Sequence, residues 1–352
     1  MKDTRIVKID VNKIDNSLIK ECANILNSGG TVAFPTETVY GLGANALDPN
    51  AVKKIFEAKG RPSDNPLIVH ITKIEDIFPL VESIPQKVYP VIEKFWPGPL
   101  TLIFEKSDIV PHEISAGLST VAVRMPSHPI AVKLIDEAGI PIAAPSANLS
   151  GKPSPTKAEH VIEDLSGKVD AIVAGGNSNV GVESTVLDMS GDIPMILRPG
   201  GVTKEMLEEI LGEVSIDKAI EGPTDIKEAP KSPGMKYTHY APKANVIIIE
   251  GDLEKTVSKI KELKVNYEND NKKVGIICTD ETIDKYTKSI VKSIGSRNNP
   301  ESIAANLFKV LREFDETDVE IILSESVDAV KIGQAVMNRL KKAAGYCIIK
   351  AE

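Results

Sequence analysis

Lys59 and Arg61 stand two residues apart in Lys59-Gly60-Arg61-Pro62-Ser63-Asp64-Asn65-Pro66, a pair well suited to clamping a polyphosphate. An arginine offers a planar fork that bonds two phosphate oxygens at once, and a lysine offers a compact point charge. Val52, Ile55 and Phe56 precede them at helical spacing. Pro62 cannot continue such a helix, so both cations fall where a helix ends and the chain turns. Beyond Pro66, Leu67-Ile68-Val69-His70-Ile71 reads as a buried strand. The alternative is a solvated helix end, with Lys59 only complementing the helix dipole.

Successive side chains of a strand point to opposite faces, which sorts the other polar candidates. His70 shares a face with Ile68, away from Leu67, Val69 and Ile71. Thr120, Ala122 and Arg124 share a face, away from Val121 and Val123. The strand Thr31–Pro35 runs into Thr36-Glu37-Thr38 as it leaves its sheet. Taken singly, His70 fits a satisfied half-buried histidine as well, and Arg124 an ion pair with a nearby carboxylate. The segment from Ala143 and Ala144 through Ser146, Asn148 and Ser154 to Thr156 is small and polar, set between a strand and a helix. Such a loop makes an anion cradle from its amides and hydroxyls. Its alternative is capping, with Ser154 or Thr156 only starting the helix at Lys157. Further on, Val182-Glu183-Ser184-Thr185 and Leu197-Arg198-Pro199-Gly200 each leave a polar group at a strand edge.

The elements that must position these groups alternate along residues 1–203. Apolar runs predict strands at Thr31–Pro35, Leu67–Ile71, Leu100–Phe104, Thr120–Arg124, Ile140–Ala144, Ala171–Ala174, Ser184–Asp188 and Pro194–Leu197. Helices are predicted at Ser17–Asn27, Ala51–Lys59, Pro85–Phe95, Pro129–Ala138 and Lys157–Leu165. The class is α/β, an open twisted sheet. After a short helix at Lys204–Leu211 comes a polar stretch of linker composition, which closes on Met235-Lys236-Tyr237-Thr238-His239-Tyr240-Ala241-Pro242. Two tyrosines, a histidine and a lysine there exceed the needs of a spacer, and Tyr237 is expected to fold over the first domain's pocket. A second alternation follows, with strands at Asn245–Glu250, Lys273–Cys278 and Val319–Leu323 and helices at Leu253–Leu263, Ile303–Phe314 and Val330–Ala343. It predicts a smaller Rossmann-like α/β domain without a G-x-G-x-x-G fingerprint.

Composition bounds the partners. The chain has 352 residues and a net charge of −8, with 26% charged and 42% hydrophobic residues. Split at residue 203, the two parts carry 19 Lys+Arg against 24 Asp+Glu and 23 against 26. Phosphate binding must therefore come from a local concentration of cations. No Walker A loop is present. Cys22, Cys278 and Cys347 form no metal-ligand spacing and read as small buried residues in a reducing, cytoplasmic chain. No apolar run is long enough to span a membrane.

Together, Lys59-Gly60-Arg61-Pro62 through His70, Ser146-Ala147-Asn148, Glu183-Ser184-Thr185 and Arg198-Pro199-Gly200 resemble the threonylcarbamoyl-AMP synthases, built on the YrdC-like fold. The resemblance covers residues 13–203. The Ser232–Pro242 ending and the second domain resemble the long form of that family, which implies a linker at 204–242 and a C-terminal domain at 243–352. The resemblance implies that L-threonine, bicarbonate or CO2, and ATP give L-threonylcarbamoyladenylate and pyrophosphate, for threonylcarbamoylation of tRNA adenosine beside the anticodon. By carry-over, Lys59 and Arg61 are the catalytic cations. Lys59, Ser63, Thr120, Ser146, Asn148, Ser154, Arg198 and Tyr237 bind ATP, with Mg²⁺ bridging the phosphates. Threonine falls to Thr36, His70, Arg124, Ala144 and Ser184, with Arg124 as the fork for its carboxylate. Expected partners are tRNA and the downstream transfer machinery, and no membrane. Two rivals remain: a non-catalytic double-stranded RNA or tRNA-binding module, which the acidic balance opposes, and a carbamoyl-adenylate-forming maturation factor, whose cysteine modules are missing.

Overall fold

Pairing along the strand Thr120–Arg124 organises the first half of the chain. In the computed structural model, which describes residues 2–220, 222, 240–287 and 289–352, the chain forms two compact units. One comprises Met1–Ser150 and Ser154–Lys236, the other Gly151–Pro153 and Tyr237–Glu352.

In chain order the first unit contains β1 (Arg5–Lys8), α1 (Asn16–Asn27), β2 (Val32–Phe34), β3 (Gly41–Asn45), α2 (Pro49–Lys59), β4 (Ile68–His70), α3 (Tyr89–Phe95), β5 (Leu100–Glu105) and α4 (His112–Ser115). There follow β6 (Thr120–Arg124), α5 (Pro129–Ala138), β7 (Ile142–Ala143), α6 (Ala158–Leu165), β8 (Ala171–Ala174), β9 (Thr185–Asp188), β10 (Met195–Arg198), α7 (Lys204–Leu211) and β11 (Ser215–Ile216). Among the described residues the strands form one mixed sheet in the order β1-β8-β2-β3-β7-β4-β6-β5-β9-β10-β11. Leu67, Val69, Val121 and Val123 enter the main core, whereas Ile68, Ile103, Ala122, Val186 and Leu197 form a smaller apolar cluster. The period-two sorting thus separates these residues into two clusters, as the pleat requires.

Local chemistry sets the ends of α2. Asp48 accepts from the Asn50 amide as its cap, and Pro49 opens the helix. Gly60 stops it in the left-handed region at φ 59°, with the Arg61 amide turned back onto the Phe56 carbonyl at 3.0 Å.

Several features of this unit differ from the sequence expectation. The strand β3 escapes a reading by apolar pattern because it is Gly41-Leu42-Gly43-Ala44-Asn45; a Cβ at Gly43 would meet the Phe34 ring at 2.7 Å. The stretch from Pro85 is a 3-10 turn, Gln86–Val88, followed by a separate helix that carries Pro90 in its first turn. The helix after the small polar loop begins at Ala158 and has no side-chain cap, so Ser154 and Thr156 do not start it.

The second unit contains β12 (Asn245–Glu250), α8 (Leu253–Asn269), β13 (Val274–Cys278), β14 (Ile290–Ser293), α9 (Pro300–Asp315), β15 (Ile321–Glu325), α10 (Ile332–Ala343) and β16 (Ile348–Lys350). Its strands are all parallel, in the order β14-β13-β15-β12-β16. The three central strands match the sequence expectation. The two additional ones lie at the edges and are short and incompletely buried, so they lack a continuous apolar run. Cys22 and Cys278 are buried, but Cys347 is exposed just before the edge strand β16.

Candidate active site

Strand register alone aligns three of the candidates, His70, Arg124 and Arg198. His70 on β4 pairs with Arg124 on β6, Arg124 with Thr101 on β5, Thr101 with Val186 on β9, and Val186 with Arg198 on β10. Partners in register present their side chains on one face, so a row of His70, Arg124, Thr101 and Arg198 crosses five strands. The next row, Ile68, Ala122 and Ile103, is apolar and belongs to the smaller cluster.

Side chains knit this row together. Ser184 shares a hydrogen bond with Thr101 at 2.7 Å and accepts one from Arg198 Nη2 at 3.1 Å. Arg198 Nε donates to the Ser184 carbonyl at 3.0 Å. Arg124 Nη2 lies 2.7 Å from Glu37 Oε1, with both side chains almost entirely buried. The Glu37 carboxylate also faces its own amide and that of Ser127, so the guanidinium is not its only partner. Burial would raise the Glu37 carboxyl, but the Arg124 guanidinium prevails and holds it below the usual carboxylate range. Beside them His70 is 2% exposed, and burial, reinforced by Arg124, lowers its imidazole to about 3. His70 is therefore neutral, with Nδ1 3.2 Å from the Ile68 carbonyl. Thr36 is buried nearby in sequence to Glu37; its hydroxyl meets Thr38 at 2.8 Å and donates to the Val39 carbonyl at 2.6 Å. Ala144 donates its amide to the Ile68 carbonyl at 3.0 Å, which places its backbone against β4.

The second grouping centres on Lys59, which is 3% exposed. Its Nζ donates to the Ser146 carbonyl, to the Asn148 carbonyl at 2.6 Å and, weakly, to Asn148 Oδ1 at 3.4 Å. The Ser146 hydroxyl donates to Asn148 Oδ1 at 2.5 Å, and the Ser150 amide to the Lys59 carbonyl at 2.9 Å. A buried ammonium is tolerated where it meets several oxygens at once. The end of α2 and the small polar loop are thus one assembly. Arg61 is half-buried and reaches the Asn65 and Pro66 carbonyls through long bonds of 3.4 and 3.3 Å. Ser154, fully buried, donates to Glu183 Oε1 at 2.5 Å.

The structure therefore joins Lys59, Ser146 and Asn148 in one group, and Arg198 with Ser184 and His70 with Arg124 in the row. Ser63 is exposed, and Thr120 is half-buried at the far end of β6, about 13 Å along the strand from Arg124. Neither hydroxyl makes a hydrogen bond among the described residues. Tyr237 lies outside those residues. Three groups received no role from the sequence. Glu37 and Glu183 stood inside the quoted motifs, and Thr101 shows as a lone hydroxyl on the Ile103 face of an apolar strand. Among the described residues no group of three or more His, Cys, Asp or Glu is placed to hold a metal ion.

The comparisons agree along the whole chain. Residues 24–200 match a family described as "Telomere recombination", and residues 202–345 match the threonylcarbamoyl-AMP synthase C-terminal domain. A threonylcarbamoyl-AMP synthase of Pyrococcus abyssi is 52% identical over 96% of this chain and 97% of its own. One of Bacillus subtilis is 53% identical over 94% of each. The crystal structure of P. abyssi Sua5 complexed with L-threonine superposes with a TM-score of 0.94 at 50% identity, covering 99% of this chain and 100% of that one. With both domains matched and the curated relatives spanned nearly end to end, the chain belongs to the threonylcarbamoyl-AMP synthase family.

Proposed function

We propose that this chain makes L-threonylcarbamoyladenylate from L-threonine, bicarbonate or CO2, and ATP, releasing pyrophosphate, and that the part of the polar row on β4, β6 and β5 is its amino-acid site. The observation that carries the site reading is the buried Arg124–Glu37 pair. A buried ion pair costs the desolvation of both its charges and so needs a reason. An α-amino acid supplies one, with its ammonium on Glu37 and its carboxylate on the Arg124 fork. Neutral His70 and the backbone at Ala144 bound the same region, while Thr36 and Ser184 are suited to the substrate hydroxyl.

The chemistry then runs in two steps. The threonine nitrogen, as the free amine, attacks the carbon of CO2; the N–C bond forms as one C=O pair moves onto oxygen, and a proton leaves the nitrogen to solvent, giving a carbamate. A carbamate oxygen attacks the α-phosphorus of ATP, and the bond to pyrophosphate breaks. Such a transition state is stabilised chiefly by cations and oriented donors on its oxygens. Arg61 is suited to that task because its long carbonyl bonds are easily exchanged for phosphate oxygens. Lys59 shapes the Ser146–Asn148 turn and brings a positive charge to it. Ser63, Thr120, Ser154 and Arg198 complete the proposed nucleotide contacts. Mg²⁺ would be held by the phosphate oxygens and would offset their charge.

The product is a mixed anhydride fit for transfer to tRNA adenosine by downstream machinery. We place the reaction in the cytoplasm, which suits three free thiols. No described helix is long and apolar enough to cross a membrane. The test is pyrophosphate release from ATP with each proteinogenic amino acid, with and without bicarbonate. Release that requires both threonine and bicarbonate is expected. Release independent of the amino acid, or none, would sink the reading.

A further inference from the structure

The second unit contains a cavity of about 220 Å³ lined by Arg297, Pro300, Ile303, Val327, Asp328, Val330, Gly333 and Val336. Its place in the topology is informative. From β13 the chain moves outward to β14, whereas from β15 it returns across the sheet to β16, and β13 and β15 are neighbours. Ligands of open parallel sheets bind outside the carboxyl ends of strands where the chain divides in this way. Arg297 is anchored at that place. Its Nε donates to the Thr279 hydroxyl just beyond β13 at 3.1 Å, and its Nη2 to Glu325, the last residue of β15, at 3.0 Å. The same Nη2 reaches the Ser326 carbonyl at 2.8 Å.

Glu325 is 1% exposed and is held in turn by the Tyr286 hydroxyl at 2.8 Å. The guanidinium is therefore fixed, while its Nη1 donates to nothing among the described residues. Asp328, on the cavity wall, is exposed and makes no hydrogen bond or ion pair among them. The remaining walls are aliphatic: Ile303 and Val336 are buried at the base, and Val330 is 65% exposed at the mouth.

We infer that this cavity binds a small α-amino acid with a branched aliphatic side chain, of valine or isoleucine size. The carboxylate would sit on Arg297 Nη1, the ammonium on Asp328, and the side chain against Ile303 and Val336. A simple anion would be opposed by Asp328, and a simple cation by Arg297. A nucleotide exceeds the volume, since sites for drug-sized ligands span about 300–1,000 Å³. Threonine has valine's shape, but its hydroxyl would face aliphatic carbon without a partner, which costs binding. The site lies wholly in the second unit and does not depend on the amino-acid site proposed in the first.

The test is methyl NMR on the full-length protein labelled at Ile and Val methyl groups, titrated with L-valine. Saturable shifts at Ile303, Val330 and Val336 are expected, with Asp328→Asn weakening binding by about tenfold or more. L-Threonine should bind up to about a hundredfold more weakly at these methyls. Val336→Phe, which fills the base, should abolish the shifts, and unchanged methyl dispersion elsewhere would show that it folds. The inference is overturned if L-valine moves none of these methyls at millimolar concentration. Equal shifts from isovalerate, isobutylamine or L-threonine would also overturn it, as would unaltered L-valine binding in Asp328→Asn.

Discussion

Arg124 and Glu37 lie 2.7 Å apart as an almost fully buried ion pair, with the Glu37 and Ser127 amides also on the carboxylate. Breaking a buried pair from one side leaves the other charge stranded, at a cost of about 3–5 kcal/mol. Arg124→Ala should therefore lower the melting temperature and abolish threonine-dependent pyrophosphate release. Arg124→Ala combined with Glu37→Gln should recover most of the lost stability and none of the activity. A double-mutant cycle by denaturant unfolding checks this, and strictly additive single effects would contradict the coupling.

His70 makes stability depend on pH. Burial, then Arg124, lowers its folded-state pKa to about 3, whereas in the unfolded chain it titrates at the ordinary histidine value of 6.5. As pH falls through 6.5 the unfolded state takes up a proton that the folded state refuses until about 3. The contribution is thus complete above about pH 6.5 and is lost progressively towards pH 3. The depressed Glu37 carboxyl adds a loss of the same sign below the ordinary carboxylate range. Urea unfolding across this window should show a shallower slope in His70→Gln than in the native chain.

Lys59→Met keeps the length of the stem but removes the ammonium from the Ser146 and Asn148 carbonyls. Each buried acceptor left without a donor costs about 1–3 kcal/mol. Amide exchange should quicken at Ser146–Ser150, and pyrophosphate release should fall by about 10²–10³-fold, the usual loss for one oxyanion contact. Unchanged exchange together with lost activity would make Lys59 a phosphate ligand and nothing more.

Ser184 ties Thr101 to Arg198, so Ser184→Ala removes two contacts with one oxygen. Serine should replace threonine at a modest penalty, since one methyl group is worth about 1–3 kcal/mol. Valine should be far poorer in the native chain, because a site hydroxyl would lose its partner. In Ser184→Ala the gap between threonine and valine should narrow. Steady-state kcat/KM for the three amino acids reads this directly.

Much of this arrangement was legible in sequence because a pleated strand exposes alternate residues. Strand parity alone puts Ile68 with His70, and Ala122 with Arg124, on common faces. The order of the strands cannot be read in this way, since nothing local in Leu100–Glu105 says that it lies between β6 and β9. Thr101 therefore stayed hidden although its neighbours were assigned. β3 was lost because glycines at 41 and 43 remove the apolar signal that marks a strand. Glu37 was in plain view in Thr36-Glu37-Thr38, but its role depends on an arginine 87 positions later, a distance that spacing rules do not bridge.

The register row also bears on how this chain can change in length. Deleting one residue within Val121–Val123 would turn the rest of β6 through half a pleat, so that Arg124 and a core valine exchange sides. The lesion would insert a guanidinium into the hydrophobic interior and a methyl group into the proposed amino-acid site together. Substitutions can trade one function against the other, but a shift in the reading of the strand cannot. Viable length variants of this chain should therefore gather in the connecting loops, with β4, β5 and β6 held to fixed lengths between them.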